Sequence, residues 1–340
     1  NRGLHMEEKK ILLEVQDLEV SFYNKQGEIP TIKKISYTLH EGEVLGIVGE
    51  SGSGKSVSSH CILRLIPGNG KIKGGKILFE GKDITQMSKG ELAKLRGNEI
   101  SMIFQDPMTS LDPLFTIGYQ IEESLKKHTD LNREQRHKRM VELLEMVGIN
   151  QPEKRLKQYP HEFSGGMRQR AMIAMALSCS PKLLIADEPT TALDVTIQAQ
   201  IVELLKELKE KLNMSIIFIT HDLGVVSDIC DKIAVMYAGE IVEFADKRQI
   251  FYNGKHPYTE GLLKSIPKIE DDRDVPLIPI EGNPPDMQLL GEECPFARRC
   301  GYAMKICTKQ KPPKVEVAPG HEAACFRCYK ELCEANGESR

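Results

Sequence analysis

The sequence predicts an α/β fold: a central parallel sheet whose strands end in polar residues, a helical subdomain inserted within it, and a small loop-rich C-terminal appendage. Three observations predict it. Four apolar runs, "VLGIV", "ISMIF", "LLIA" and "SIIFIT", lack the alternation of a half-exposed strand, which suits central strands covered on both faces. Between the second and third, Met140, Leu143, Leu144 and Val147 recur at the spacing of an amphipathic helix. Past residue 266 the chain turns proline-rich, and six of its nine cysteines follow position 293.

The whole chain sets bounds on function. Its 340 residues, 28% charged and 40% hydrophobic, suit one large domain with an appendage. A formal net charge of -3 gives no reason to expect a nucleic-acid partner. No run approaches the eighteen or so apolar residues of a membrane span. "NRGLH", before Met6, has neither a signal core nor a cleavage pattern and reads as a leftover of cloning. Without a secretion signal the cysteines are expected in a reducing compartment, where clustered thiolates more often hold metal than form disulfides. Scattered Cys61, Cys179 and Cys230 read as small core residues.

The first apolar run leads into "GESGSGKS", a complete P-loop pattern. Gly49, Glu50, Ser51, Gly52, Ser53 and Gly54 turn backbone N–H groups around a polyphosphate. Lys55 reaches the terminal phosphates, and Ser56 is suited to ligate magnesium. The other runs deliver Gln105, Asp187 with Glu188, and His221, and ligands of such sheets gather at the carboxyl ends of the strands. Asp187 is placed to hold the magnesium shell. Glu188, one residue on, is placed to activate water against a γ-phosphate.

"FSGGMRQRAMIAMAL" supplies the family signal. It resembles the signature of the ATP-binding cassette (ABC) ATPases, usually LSGGQ; Phe163 and Met167 depart from it, while Ser164, Gly165 and Gly166 are kept as an anion site at a helix start. The family order continues with Gln105 as Q-loop, Asp187 and Glu188 as Walker B end, Ala192, Leu193 and Asp194 as D-loop, and His221 as switch histidine. Family likeness also implies an aromatic residue stacked on adenine, Phe22 or Tyr23, with strand alternation leaning to Phe22. It implies a head-to-tail dimer in which ATP lies between the P-loop of one subunit and the Ser164 loop of the other.

"FQDPMTSLDP", "HPYTEGLLKSIP" and the late cysteines resemble the oligopeptide and dipeptide importers and their nickel-importing relatives, over about Ile11 to Cys325. Such ATPases sit at the cytoplasmic face of the bacterial membrane under two permease subunits, beside a second ATPase or a copy of themselves. An extracytoplasmic binding protein delivers the solute. "MTSLDPLF" is a candidate permease contact, and equally an ordinary Pro-bounded turn. The alternative outside transport, an ABC ATPase of DNA repair or translation, usually carries tandem cassettes or a coiled-coil insertion, and this chain has neither.

The expected boundaries are an ATPase domain over 6–245, its helical subdomain over about 106–178, and a C-terminal extension over 246–340. Within the first, "DKIAVMYAGEIVEF" reads as two strands around a glycine turn; after it, "IPKIEDDRDVPLIPIEGNPPDM" reads as an extended linker. Cys294, Cys300, Cys307 and Cys325 are too widely spaced for the tight pairs of a structural zinc site. The resemblance implies a [4Fe-4S] cluster on these four, and Cys325 with Cys328 keeps zinc as an alternative. Arg298, Arg299, Lys305 and Arg327 are candidates to offset its negative charge. The cluster is expected to pin the appendage, and the ATP chemistry to be independent of it.

Overall fold

The computed structural model describes residues 10–106, 110–191, 193–266 and 279–335. Residues 1–9, residues 107–109 at the start of the candidate permease contact, Ala192 and most of the expected linker lie outside the described residues.

The chain opens with β1 (Ile11–Asn24) and β2 (Gly27–His40), joined by a two-residue turn in which Asn24 Oδ1 accepts the Gln26 N–H at 2.8 Å. The wholly buried β3 (Val44–Val48) precedes α1 (Lys55–Ile62), and β4 (Gly70–Phe79), β5 (Lys82–Asp83), α2 (Lys89–Leu95) and β6 (Ile100–Ile103) follow. Then come four helices, α3 (Ile117–His128), α4 (Arg133–Met146), α5 (Pro152–Arg155) and α6 (Gly165–Ala176). Thr116, Asn132 and Ser164 cap three of them by accepting a backbone N–H of the first turn. The apolar stripe lies inside, with Leu143, Leu144 and Val147 at 0% exposure.

Next come β7 (Leu183–Asp187), α7 (Val195–Leu212), β8 (Ser215–Thr220), α8 (Leu223–Ile229), β9 (Lys232–Tyr237) and β10 (Glu240–Asp246). The chain ends with α9 (Lys247–Asn253), α10 (Pro257–Lys264), β11 (Lys314–Ala318), β12 (His321–Ala324) and α11 (Phe326–Ala335).

Two compact units divide these elements. The first takes the chain to Val15, Tyr37–Val44 and Lys76–Ile217; the second takes Gln16–Ser36, Leu45–Gly75 and everything from Phe218 on. In the first, β6 and β7 pair in parallel with Ile103 opposite Ala186, and the start of β8 joins β7 through Ser215 N–H to the Lys182 carbonyl. In the second, β3 pairs in parallel with β9, and β9, β10, β12 and β11 continue antiparallel.

That last run corrects the expected loop-rich appendage. Its strands β12 and β11 extend the sheet from β10, Glu243 lying opposite Ala323. An unpaired edge at β10 would leave backbone groups unmatched, and β12 matches them. Buried Glu243 holds the junction, its Oε1 2.6 Å from His321 Nε2.

Candidate functional site

The P-loop belongs to the second unit. Val48 lies opposite Val235, so Gly49 emerges beside Met236. Its φ is +154°, and a Cβ there would stand 2.2 Å from the Met236 carbonyl oxygen; only glycine fits. The loop rests on the two-residue turn between β9 and β10, where Ala238 and Gly239 both have positive φ and Gly239 donates its N–H to Ser53 O at 3.0 Å. Lys55 is buried at the start of α1, donating to the Gly49 and Glu50 carbonyls at 2.7 and 3.0 Å, with Ser56 next to it. Ser53 Oγ is buried without a hydrogen-bond partner among the described residues. An orphaned hydroxyl inside a glycine-rich loop fits a site built for an oxygen-rich ligand.

Glu50 is held from outside the loop. Its N–H donates to Tyr258 Oη at 2.8 Å, and its carboxylate takes both ends of the Arg299 guanidinium at 2.6 and 2.9 Å. The two aromatic candidates end β1. Phe22 packs where a Cβ on Gly70 would come within 2.8 Å of its ring, and Tyr23 Oη accepts from Lys73 Nζ at 3.1 Å. His221 directly follows β8 and is exposed.

The first unit holds Gln105, Asp187, Glu188, the signature loop and Asp194. Gln105 and Glu188 each lie two residues past a paired position, Ile103 and Ala186, so the strand register brings them together. Gln105 Nε2 donates to Glu188 Oε2 at 2.9 Å, and Thr191 Oγ1 donates to the same oxygen at 2.9 Å. Glu188 has φ +46°, a left-handed conformation a carboxylate residue seldom adopts, at the position where β7 stops and Asp187 is buried.

Ser164 starts α6 with its Oγ accepting the Met167 N–H at 3.3 Å. Gly165 has open space beside it, while a Cβ on Gly166 would come within 3.2 Å of Ile197. Phe163, one departure from the usual signature, is buried, so a larger apolar ring is accommodated where leucine is usual. Asp194 caps α7, its Oδ1 accepting the Ile197 N–H at 2.9 Å. Exposed backbone N–H groups at a capped helix start can bind an anion.

The model of the ABC transporter family matches residues 32–191 of this chain, and that of the oligopeptide/dipeptide transporter C-terminal region matches 242–307. The oligopeptide transport ATP-binding protein OppD of Bacillus subtilis is 57% identical over 311 residues, 91% of this chain and 87% of that protein. The chain belongs to the ABC transporter family. The dipeptide transport ATP-binding protein DppD of Bacillus subtilis is 49% identical over 93% of this chain and 95% of its own length. Among solved structures, the ATP-binding cassette MJ0796, a dimer in a post-hydrolysis state bound to ADP and Pi, aligns with TM-score 0.63 and 29% identity, covering 70% of this chain and 99% of that one.

In this ABC ATPase Cys294 packs beside Cys307, and Cys325 beside Cys328. Burial pushes the Cys294 thiol up to about 12, helped by Cys307, Cys325 and Cys300 nearby. Cys294 N–H donates to the Cys307 carbonyl at 2.8 Å, and both pack with Ala297, Met304 and Phe326. A hydrogen bond with Cys328 holds the Cys325 thiol below its ordinary value and raises Cys328 in turn. Among the described residues no group of three or more His, Cys, Asp or Glu is placed to hold a metal ion. Two expected counter-cations are engaged elsewhere: Arg299 on Glu50, and Arg327 on Glu260 with its guanidinium 4.7 Å above the Tyr302 ring.

Sequence reasoning missed Tyr258, Thr191 and the role of Arg299. Tyr258 stood in plain view inside "HPYTEGLL", but nothing local to it names Glu50 as its partner.

Proposed function

We propose that this ABC ATPase hydrolyses ATP to power import of di- or oligopeptides across a bacterial membrane. The match over 242–307 to the oligopeptide/dipeptide region carries the reading. It supports peptide over nickel and over a role outside transport. No helix among the described residues is long and apolar enough to cross a membrane. The chain would act as a peripheral subunit at the cytoplasmic face, paired head to tail with a copy or a related ATPase under two permease subunits, and served by an extracytoplasmic solute-binding protein.

In this reading the loop amides of Gly49–Ser56 and Lys55 take the phosphates, and Phe22 or Tyr23 stacks on adenine. Ser56, Gln105 and Asp187 offer hydroxyl, amide and carboxylate oxygens, the hard donors magnesium takes; the ion would neutralise phosphate charge. Glu188 accepts the proton of the attacking water as the bond from γ-phosphorus to the ADP oxygen breaks. Gln105 and Thr191, by fixing Oε2, set the direction of that carboxylate. His221, and Ser164, Gly165, Gly166 and Asp194 of a second subunit, meet the same nucleotide.

Cys294, Cys300, Cys307 and Cys325 are proposed to hold a [4Fe-4S] cluster, with zinc as the alternative. The hydrogen bond from Cys294 N–H to the Cys307 carbonyl and the packing of these two residues together support it. Anaerobically purified protein should then carry about four iron and about four acid-labile sulfide per chain, and stoichiometric zinc without colour would replace the cluster by zinc. Transport is tested by peptide uptake in cells lacking the gene. The wild-type chain should restore it and Glu188→Gln should not; restoration of nickel uptake instead would overturn the solute.

A further inference from the structure

We infer that Arg299 is a positioning residue of the P-loop, through which the cysteine-bearing extension sets nucleotide affinity. The inference rests on residues 49–56 being the phosphate loop.

A carboxylate in a loop that gathers polyphosphate is of the wrong charge. Glu50 lies within "GESGSGKS", and its side chain is 26% exposed. Left unpaired, it would repel the phosphates across a short distance in a partly desolvated place. Arg299 removes that charge. Its side chain is only 5% exposed, and every N–H of its fork has an acceptor. Nη1 donates to Glu50 Oε2 and to Tyr237 Oη at 3.3 Å; Nη2 donates to Glu50 Oε1 and to Ile280 O at 3.2 Å; Nε donates to Glu281 O at 2.9 Å. A planar fork so completely matched is rigid, and a lysine could not reproduce it.

The anchor is built from the extension. Arg299 ends the short turn Ala297–Arg299, one residue before Cys300. Phe296, in the same block, packs edge-on against Tyr237 at 5.2 Å and beside Tyr258 at 5.4 Å between ring centres. Tyr258 in turn takes the Glu50 N–H. Main chain and side chain of one loop residue are therefore both gripped from residues beyond 256. Any rearrangement of the cysteine block moves Arg299, and with it the charge and position of Glu50. This runs against the expectation that ATP chemistry ignores the extension.

The test is ADP binding to the full-length chain by calorimetry at fixed magnesium. Arg299→Met should weaken ADP about tenfold, the loss expected from a charged hydrogen-bonded pair. Glu50→Gln with Arg299→Met should recover most of that loss, because the unpaired carboxylate is gone. Arg299→Met binding as wild type overturns the inference, as does a double variant as weak as the single, which would mean a general loss of structure. If Arg299→Met does not fold, Arg299→Lys carries the test: charge kept and fork lost, about threefold weaker is expected, and unchanged affinity overturns the inference. Failure of the wild-type chain to bind ADP would instead overturn the phosphate-loop reading itself.

Discussion

His256 should make the stability of this protein fall in mild acid. It is 2% exposed and starts α10, where its Nδ1 accepts the Tyr258 N–H at 3.1 Å while its own backbone N–H donates to Glu243 Oε2 at 2.9 Å. Burial lowers the ring from 6.5 to about 4; Glu243 opposes the shift and Arg327 adds to it. Above pH 6.5 the imidazole is neutral whether the chain is folded or not, and its contribution is complete. Between pH 6.5 and 4 the unfolded chain takes a proton that the folded one refuses, so stability is lost as pH falls. The gap from 6.5 to about 4 corresponds to roughly 3 kcal/mol, of which about 2 kcal/mol is gone by pH 5. His256→Asn keeps a capping oxygen and cannot titrate. Urea unfolding of full-length wild type and variant at pH 7.5, 6 and 5 should show the wild type losing about 2 kcal/mol more than the variant over that range. Parallel pH curves would refute the reasoning.

Glu188→Gln should still bind MgATP yet hydrolyse it at least ~100-fold more slowly; near-normal turnover would remove Glu188 as the base. Lys55→Ala subunits mixed with Ser164→Arg subunits should regain part of the ATPase activity each lacks alone, since one composite site then has an intact P-loop and an intact signature. No recovery in demonstrated mixed dimers would count against the shared site. Gly49→Ala should abolish ATP binding and cost more than about 2 kcal/mol of stability, because a Cβ there would stand 2.2 Å from the Met236 carbonyl oxygen; a well-folded, ATP-binding variant would show the strand register near Gly49 to be wrong.

Much of the fold was legible before the structure because central parallel strands are local signals. Val44–Val48, Leu183–Asp187 and Ser215–Thr220 are buried throughout, as unbroken apolar runs suggested. The Gln105 to Glu188 hydrogen bond was half legible: each residue follows a strand, but only the register of β6 on β7 makes them neighbours. β11 and β12 were not legible, being five and four residues long and of mixed polarity, with a pairing that depends on the needs of β10. Arg298 and Arg299 look alike in the sequence. Only folding distinguishes them, by bringing Arg299 across 249 positions to Glu50.

The parallel pairing of β3 with β9 has a consequence for how the protein is made. Leu45 must wait for Lys232 before its strand has that neighbour, and Glu50 waits for Arg299, 249 residues later. At about 5–20 residues per second of synthesis that separation is roughly 12–50 seconds. Until Gly239 is made, the emerging chain bears a glycine-rich loop without the turn it rests on, and until Arg299 is made, without the partner of Glu50. A product truncated before β9 would leave β3 without that neighbour. The motif is made early, and the contacts that hold it in place come late in the chain.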